Sequence, residues 1–406
     1  MISGKMHCRY QGRSCSINLL IFLLLSFIFI AFKLSFESAD HVVSRQQIRK
    51  WGDYCVFWNF IGTKKPIFTG TNQISLAVHG SVSHAKYIFR HADRWSDLIS
   101  VALFVDLKSG LFLRDLKRAV LCNGDHEWKL SIHLVWESDE CYSTFRDLMP
   151  SENDCKTAKE NVKNAKQDDV KFYPVNTLRA IARQGSHTDF QLLSDMENFV
   201  STGGASIIRK ILRKVHEKEK QNTVIVVRRF ESNSSYPIPL SMQQLSSGLF
   251  GYIFPFHYFH YPPGHFIPGL KEWIKASRKK KPIYLQKVPY LGPFWEPELV
   301  LHRSDPFHFE GFPVRHRDQQ ALPYELCRAN YSFLVASHIF SVHDGIKLEL
   351  SKAEREKVKS FASYTRSVDE RFRNYLEAKY PGTKGNCRGY SESRISLDFP
   401  FLYELS

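Results

Sequence analysis

Asp195 and Glu197 stand one residue apart at the end of a short apolar run, Phe190-Gln-Leu-Leu193, with Met196 between them. If the chain is still extended there, strand alternation sends both carboxylates to one side and Met196 toward a core. Two carboxylates at that spacing can hold a hard divalent cation through oxygen and leave positions for the phosphates of a nucleotide. The same pattern also describes a solvated turn after a strand. A cation held there would act as a Lewis acid on a departing diphosphate. His343 closes a second apolar run, Ile339-Phe-Ser-Val342, directly before Asp344 and Gly345. It could offer a neutral ring nitrogen as a third ligand, or simply end a strand. Trp295-Glu296-Pro297 sets an acid in an extended segment, because a residue before proline is driven out of the helical region. Phe256 and Tyr258, in a stretch from 248 to 266 rich in aromatic residues, His, Gly and Pro, could line a sugar-stacking groove or fill core. The chain carries no Gly-rich dinucleotide or phosphate loop, no nucleophile elbow and no HExxH motif.

The elements that must position these residues alternate in type. Strand-like runs occur at 73–79, 98–105 and 130–136, then at 190–193, 223–227 and 339–343, with helix-like segments between the earlier ones. That alternation is the signature of an α/β sheet flanked by helices. After Pro174, Val175, Leu178, Ile181 and Ala182 recur at helical spacing, and proline is permitted in a first helical turn. Asn176, Arg179 and Arg183 are the polar positions of that helix. A basic amphipathic helix is expected over 206–215, and a charged helical stretch from Ser351 to about Lys379.

Composition bounds the class. The chain has 406 residues, a formal charge of +15 and a pI near 9.3, with 43% hydrophobic and 14% aromatic residues. Such a chain can bury a large core, which excludes a mainly disordered protein, a collagen, a coiled coil and a small disulfide scaffold. The positive charge suits an anionic partner and says nothing about fold. Ser14 to Phe32 is an uncharged stretch of 19 residues, about long enough to span a bilayer as a helix. Lys5, Arg9 and Arg13 precede it with no acid among them, which orients the N-terminus toward the cytosol and the remainder toward a lumen or the exterior. Cys8 and Cys15 flank the span and are candidates for palmitoylation. Beyond it, Cys55, Cys122, Cys141, Cys155, Cys327 and Cys387 allow three disulfides in an oxidising compartment, in any of fifteen connectivities. The glycosylation sequons at Asn233 and Asn330 lie on the same side. On that topology a nucleic-acid partner is excluded.

Taken in order, seven stretches resemble glycosyltransferase family 49, which includes the β-1,4-glucuronyltransferase of dystroglycan glycan synthesis, related β-1,3-N-acetylglucosaminyltransferases and the second catalytic domain of the LARGE proteins. They are Ile74-Ser-Leu-Ala-Val-His79, Leu98-Ile-Ser-Val-Ala-Leu-Phe104, Tyr173-Pro-Val-Asn-Thr-Leu-Arg-Ala-Ile-Ala-Arg183, Leu192-Leu-Ser-Asp-Met-Glu197, Phe294-Trp-Glu-Pro297, Tyr324-Glu-Leu-Cys327 and Phe340-Ser-Val-His-Asp-Gly-Ile-Lys347. The resemblance implies a type II Golgi membrane enzyme of GT-A fold. Its domains would be a cytosolic tail at 1–13, a signal-anchor at 14–32, a stem at 33–70, the transferase domain at 71–390 and a C-terminal tail at 391–406. It implies a UDP-sugar donor, a manganese or other divalent cation held by Asp195, Glu197 and His343, and a donor site formed by Asn176, Arg179, Asp195 and Glu197. The sugar would be glucuronic acid or N-acetylglucosamine, and the acceptor a glycan or glycoprotein.

The chain also departs from the family pattern. Where the family has Asp-Glu-Arg-Phe and then Gly-Tyr-Gly ending in Asn or Asp, this chain has Phe309-Glu-Gly-Phe312 and Pro313-Val-Arg-His-Arg-Asp318, and Arg228-Arg229 stands where proline is common. An inverting transferase needs a base for the acceptor hydroxyl. Asp318 is the first choice because it sits at the acidic or amide position of the altered segment, with Glu310 and Glu296 as rivals. The alternative is a family member without catalysis that binds glycans or stabilises a partner.

Overall fold

The computed structural model describes residues 47–62, 73–124, 128–141, 145–167, 172–218, 222–278 and 281–387. The expected cytosolic tail, anchor and C-terminal tail, with Cys8 and Cys15, lie outside the described residues. Among the described residues no helix is long and apolar enough to cross a membrane.

The twelve described strands form one mixed sheet. They are β1 (Ile48–Trp51), β2 (Tyr54–Ile61), β3 (Ile74–Ser81), β4 (Leu98–Phe104), β5 (Leu130–Glu137), β6 (Phe190–Asp195), β7 (Asn198–Val200), β8 (Thr223–Ser232), β9 (Ile253–Pro255), β10 (Leu285–Val288), β11 (Glu298–His302) and β12 (Ser332–Asp344). The strand order is β1-β2-β5-β4-β3-β6-β11-β8-β12-β10, with β7 on β12 and β9 on β8. Strands β5, β4, β3 and β6 run parallel, as their continuous apolar runs demand when both faces are covered. Side chains alternate between the two faces. Ile99, Val101 and Leu103 of β4 enter one apolar layer, whereas Ala102 and Phe104 enter the other.

Helices fill both layers. On one face lie α1 (Gly110–Leu121) and α2 (Cys155–Asn164), contributing Leu113, Leu116, Ala158 and Val162. The other face is covered by α3 (Val175–Gln184) through Leu178, Ile181 and Ala182. The basic amphipathic pattern near 206–215 forms α4 (Gly204–Lys218), whose Ile208, Ile211 and Leu212 join the first layer. Near the C-terminus, α5 (Ala321–Arg328) is followed by α6 (Lys352–Ser360) and α7 (Ala362–Lys379), of which α7 packs against it, and a break at Phe361 divides the expected charged stretch. Phe312, Tyr324, Val368, Phe372 and Leu376 make a separate cluster beneath α7.

Residues 48–61, within the stretch expected as a stem, pair as β1 and β2, and β2 joins β5 with Val56 opposite Val135. Both valines are fully buried, so this edge belongs to the core. The six cysteines outside the tail pair as Cys55–Cys141, Cys122–Cys155 and Cys327–Cys387. The first ties β2 to the chain after β5, the second the end of α1 to the start of α2, and the third α5 to the chain after α7.

The Cys327–Cys387 bond closes a separation of 60 residues and fastens the chain after α7 to α5. Replacing both cysteines by alanine should cost about 2–4 kcal/mol, a drop of roughly 4–8 °C in unfolding midpoint, read by calorimetry on the intact chain. An unchanged midpoint would mean that apolar packing under α7 suffices alone.

Candidate functional site

The carboxyl-terminal ends of β3 and β6 open into a cleft of about 810 Å³, walled on the far side by residues 256–261, 314–320 and the chain after β12. The β3–β6 register sets His79 beside Asp195, and the two bond through His79 Nε2 and Asp195 Oδ1 at 3.1 Å. His79 Nδ1 lies 3.1 Å from the Tyr173 hydroxyl. Because an ionised carboxylate only accepts, Nε2–H donates to Asp195 and Nδ1 accepts from Tyr173.

Met196 and Glu197 form a turn, where continued extension is one expectation. The outcome for the side chains is nevertheless that of alternation. Met196 is fully buried, with its carbonyl accepting from His91 at 2.8 Å, while Asp195 and Glu197 face the cleft. Gly80 makes this possible, since a Cβ there would meet His84 Cβ at 2.8 Å and the Met196 sulfur at 3.3 Å. His84 in turn pairs with Glu197 at 2.9 Å. On β12, His343 is opposite Asn198, the first residue after Glu197. Its Nδ1 donates to the Gly345 carbonyl at 3.0 Å, which leaves Nε2 as the free lone pair.

Arg179, buried on α3, donates through Nη1 to Asn176 Oδ1 at 2.8 Å and to Asp318 Oδ2 at 3.0 Å, and Nη2 lies 3.5 Å from Asp195. Asn176 also donates to the Phe309 carbonyl at 2.9 Å, so it holds Arg179 from behind and does not line the cleft. Arg229 on β8 reaches Asp195 Oδ2 at 3.4 Å, with its guanidinium 4.0 Å from the Phe256 ring centre and Nη2 donating to His265 Nδ1 at 3.3 Å. Phe256 thus lines the cleft, while Tyr258 packs on Phe250 and Phe254 away from it.

Electrostatics sort the acids. Burial alone would raise the Asp195 pKa, but the His79 hydrogen bond and the two guanidinium groups outweigh it and hold the carboxyl well below its usual range. Glu197 likewise stays below its ordinary value, burial being overcome by His84. Glu296 goes the other way. Burial, reinforced by nearby Asp318, pushes it up to about 7. It accepts from Gln320 at 2.8 Å and lies 3.4 Å from His265 Nε2. Asp318 shares the cleft but is committed to Arg179 and to the Arg315 backbone N–H at 2.8 Å. Glu310 lies outside the cleft, accepting from Trp51 Nε1 and Thr177 Oγ1, both at 2.8 Å. Asn233 and Asn330 are exposed in turns.

The structure therefore gathers Asp195, Glu197, His343, Arg179, Glu296 and Asp318 around one cleft, with Asn176 behind it and Glu310 elsewhere. The donor set has the chemistry of a hard divalent cation site: two carboxylates, and an imidazole whose other nitrogen is fixed by a backbone carbonyl. Among the described residues no three such side chains are gathered at metal-binding distance; His84 engages Glu197, and Arg179 and Arg229 engage Asp195. His79, His84, His265 and Gln320 are partners that sequence reading misses. Only His79 had a signal, as the last residue of a quoted stretch.

Residues 73–381 match the family described as glycosyl-transferase for dystroglycan. Beta-1,4-glucuronyltransferase 1 of Bos taurus is 25% identical over 360 residues, covering 83% of this chain and 82% of that one; the Homo sapiens protein is 24% identical over the same shares. Xylosyl- and glucuronyltransferase LARGE2 of Mus musculus is 24% identical over 217 residues, 52% of this chain and 30% of its own. Among solved structures, GalNAc-T7 with UDP, GalNAc and Mn2+ aligns at a TM-score of 0.41 and 10% identity, over 80% of this chain and 56% of that one.

Glu296 supplies a direct check on these electrostatics. Its folded pKa lies above its ordinary value of 4.5, so between pH 4.5 and about 7 the folded state holds a proton the unfolded chain has released. Stability falls with rising pH across that window. Glu296→Gln lacks that proton. Relative to wild type it should gain up to roughly 3 kcal/mol between pH 4.5 and 8 in urea unfolding. A pH-independent difference would show that Glu296 ionises as freely in the fold as out of it.

Proposed function

The chain belongs to glycosyltransferase family 49, and from that premise we propose that it is a metal-dependent, inverting transferase of GT-A type, moving glucuronic acid or N-acetylglucosamine from a UDP donor to a glycan hydroxyl. The observation that carries this reading is one cleft holding two ionised carboxylates, a tautomer-fixed imidazole and a carboxyl poised near neutral pH. Relatives named as glucuronyltransferases, aligned over most of this chain, support glucuronic acid of the two. We further propose a single-pass type II topology in the Golgi, with the anchor at 14–32 and the cleft lumenal. The three disulfides support an oxidising compartment, and glycans would sit at exposed Asn233 and Asn330.

Asp195, Glu197 and His343 would hold the cation, which when bound stabilises charge on the leaving diphosphate. Arg179 and Arg229 add fixed positive charge at the same end of the cleft and orient Asp195. Glu296 is the proposed base: burial gives it affinity for a proton, and Asp318, spent on Arg179, is the weaker choice. The acceptor oxygen forms its bond to the anomeric carbon as the bond from that carbon to the UDP oxygen breaks; the hydroxyl proton passes to Glu296 and UDP departs.

The test is thermal unfolding and turnover of the intact chain. UDP with manganese at about 100 times its dissociation constant should add roughly 2.7 kcal/mol of stability, abolished by EDTA and by Asp195→Asn. Glu296→Gln should keep that rise and lose turnover by about 10²–10⁴-fold, and wild-type kcat/KM should climb with pH to a plateau above about 7. Ligand-induced stability with no turnover of any UDP-sugar would make this a glycan-binding or partner-stabilising member. A full rate in Glu296→Gln would return the base to Asp318.

A further inference from the structure

Away from the cleft, the loop after β11, the turn after α5 and the C-terminal end of α7 line a second, open cavity of about 660 Å³. That is within the range of small-molecule sites. Phe307, Phe309, Tyr331, Tyr375 and Tyr380 supply five aromatic rings to its lining, none of them fully buried. Its charged groups are Asp305, Glu310, Glu325 and Lys379. Glu325, almost wholly buried, accepts from the Tyr375 hydroxyl at 2.8 Å, Lys379 Nζ at 3.0 Å and the Tyr380 hydroxyl at 3.2 Å, which fixes two of the rings in place. Tyr331 is fixed likewise, by donating to Asp305 at 2.9 Å. His308 also lines the cavity, with its unpartnered Nδ1 buried away from it.

Three carboxylates against one ammonium on the lining, with the Arg183 guanidinium behind the Phe307 ring, leave no net positive charge to hold a nucleotide or other anion. Rigid aromatic rings with carboxylate and carbonyl acceptors beside them are instead what a polyhydroxyl ring requires: its C–H face packs on aromatic carbon while its hydroxyls donate at the edge. The rim adds a second pointer. Ala329 and Tyr331 both line the cavity, and between them stands exposed Asn330, the sequon asparagine, at a φ of 60°. We propose that this cavity is a carbohydrate-binding subsite for neutral pyranoses, separate from the donor cleft. The sugar comes either from the glycan attached at Asn330 or from an external glycan chain. The inference does not depend on the reading of the donor cleft.

The test is saturation-transfer NMR on the intact chain carrying Asn330→Gln, with N,N′-diacetylchitobiose and cellobiose as probes. Transfer to the sugar ring protons is expected, undiminished by saturating UDP. Tyr380→Ala should weaken it by about tenfold, while Tyr380→Phe, which keeps the ring, should retain it. Ser304→Trp, a filling substitution at the exposed rim, tests the same cavity should Tyr380→Ala fail to fold by circular dichroism. If the chain glycosylated at Asn330 binds the probes only after enzymatic removal of its glycan, the attached sugar is the occupant. If it binds them equally well with the glycan in place, the occupant is an external chain. No transfer to either probe would overturn the proposal, as would transfer indifferent to both Tyr380→Ala and Ser304→Trp. Oligolysine displacing the sugars at equal concentration would also overturn it, by showing that the carboxylates recognise cations.

Discussion

Arg179 is buried between Asp195 and Asp318, at 3.5 and 3.0 Å, and the rest of the cleft takes its form from that arrangement. A guanidinium in such a place is tolerable only because its donors are met, and removing one partner of a buried pair typically costs about 3–5 kcal/mol. Each acid comes from a different part of the chain: Asp195 from the end of β6, Asp318 from the segment before α5. One side chain on α3 therefore fixes the spacing between the floor of the cleft and its far wall. It is also one of the groups that keep Asp195 ionised. Asp195 is held ionised by His79 and two arginines, while Glu296, buried without a full counter-charge, keeps its proton up to about pH 7.

This division of labour bears on the altered segment between Phe309 and Asp318. The resemblance alone makes Asp318 the natural base, but in the fold that carboxylate is Arg179's partner, and Glu310 is turned away to Trp51 and Thr177. A chain that has lost the family's Asp-Glu-Arg-Phe and Gly-Tyr-Gly patterns can still present a proton acceptor, because the Trp295-Glu296-Pro297 segment is carried into the cleft by the extended approach to β11. Arg229 is the other departure with a visible consequence. It brings a second guanidinium onto Asp195 and is itself held by Phe256 and His265.

Much of the sheet was legible in the sequence. Strands β3, β4, β5 and β6 are continuous apolar runs because both of their faces are covered, and α3 announces itself by Pro174 and a helical apolar stripe. Strand β11 was not, since Glu298 and His302 bound a run of only three apolar residues. Nor were β1 and β2, whose partner β5 and disulfide partner Cys141 lie far along the chain; the bond spans 86 residues. In the site, Asp195, Glu197 and His343 were legible through residue type and order. The groups that set their charge were not, because they meet across strands: His79 is 116 residues from Asp195 and is placed by register alone. The elevation of Glu296 depends on burial, which neither its neighbours Trp295 and Pro297 nor any spacing encodes.

In the proposed mechanism Asp195, Glu197 and His343 act as one cation site beside the donor diphosphate. Electron paramagnetic resonance of manganese, titrated with the intact chain in the presence of UDP, measures that most directly. One tight site per chain in wild type, lost in Asp195→Asn and weakened at least tenfold in His343→Ala, is the predicted result. Manganese that stays free in wild type, or binds equally well to both variants, would contradict it.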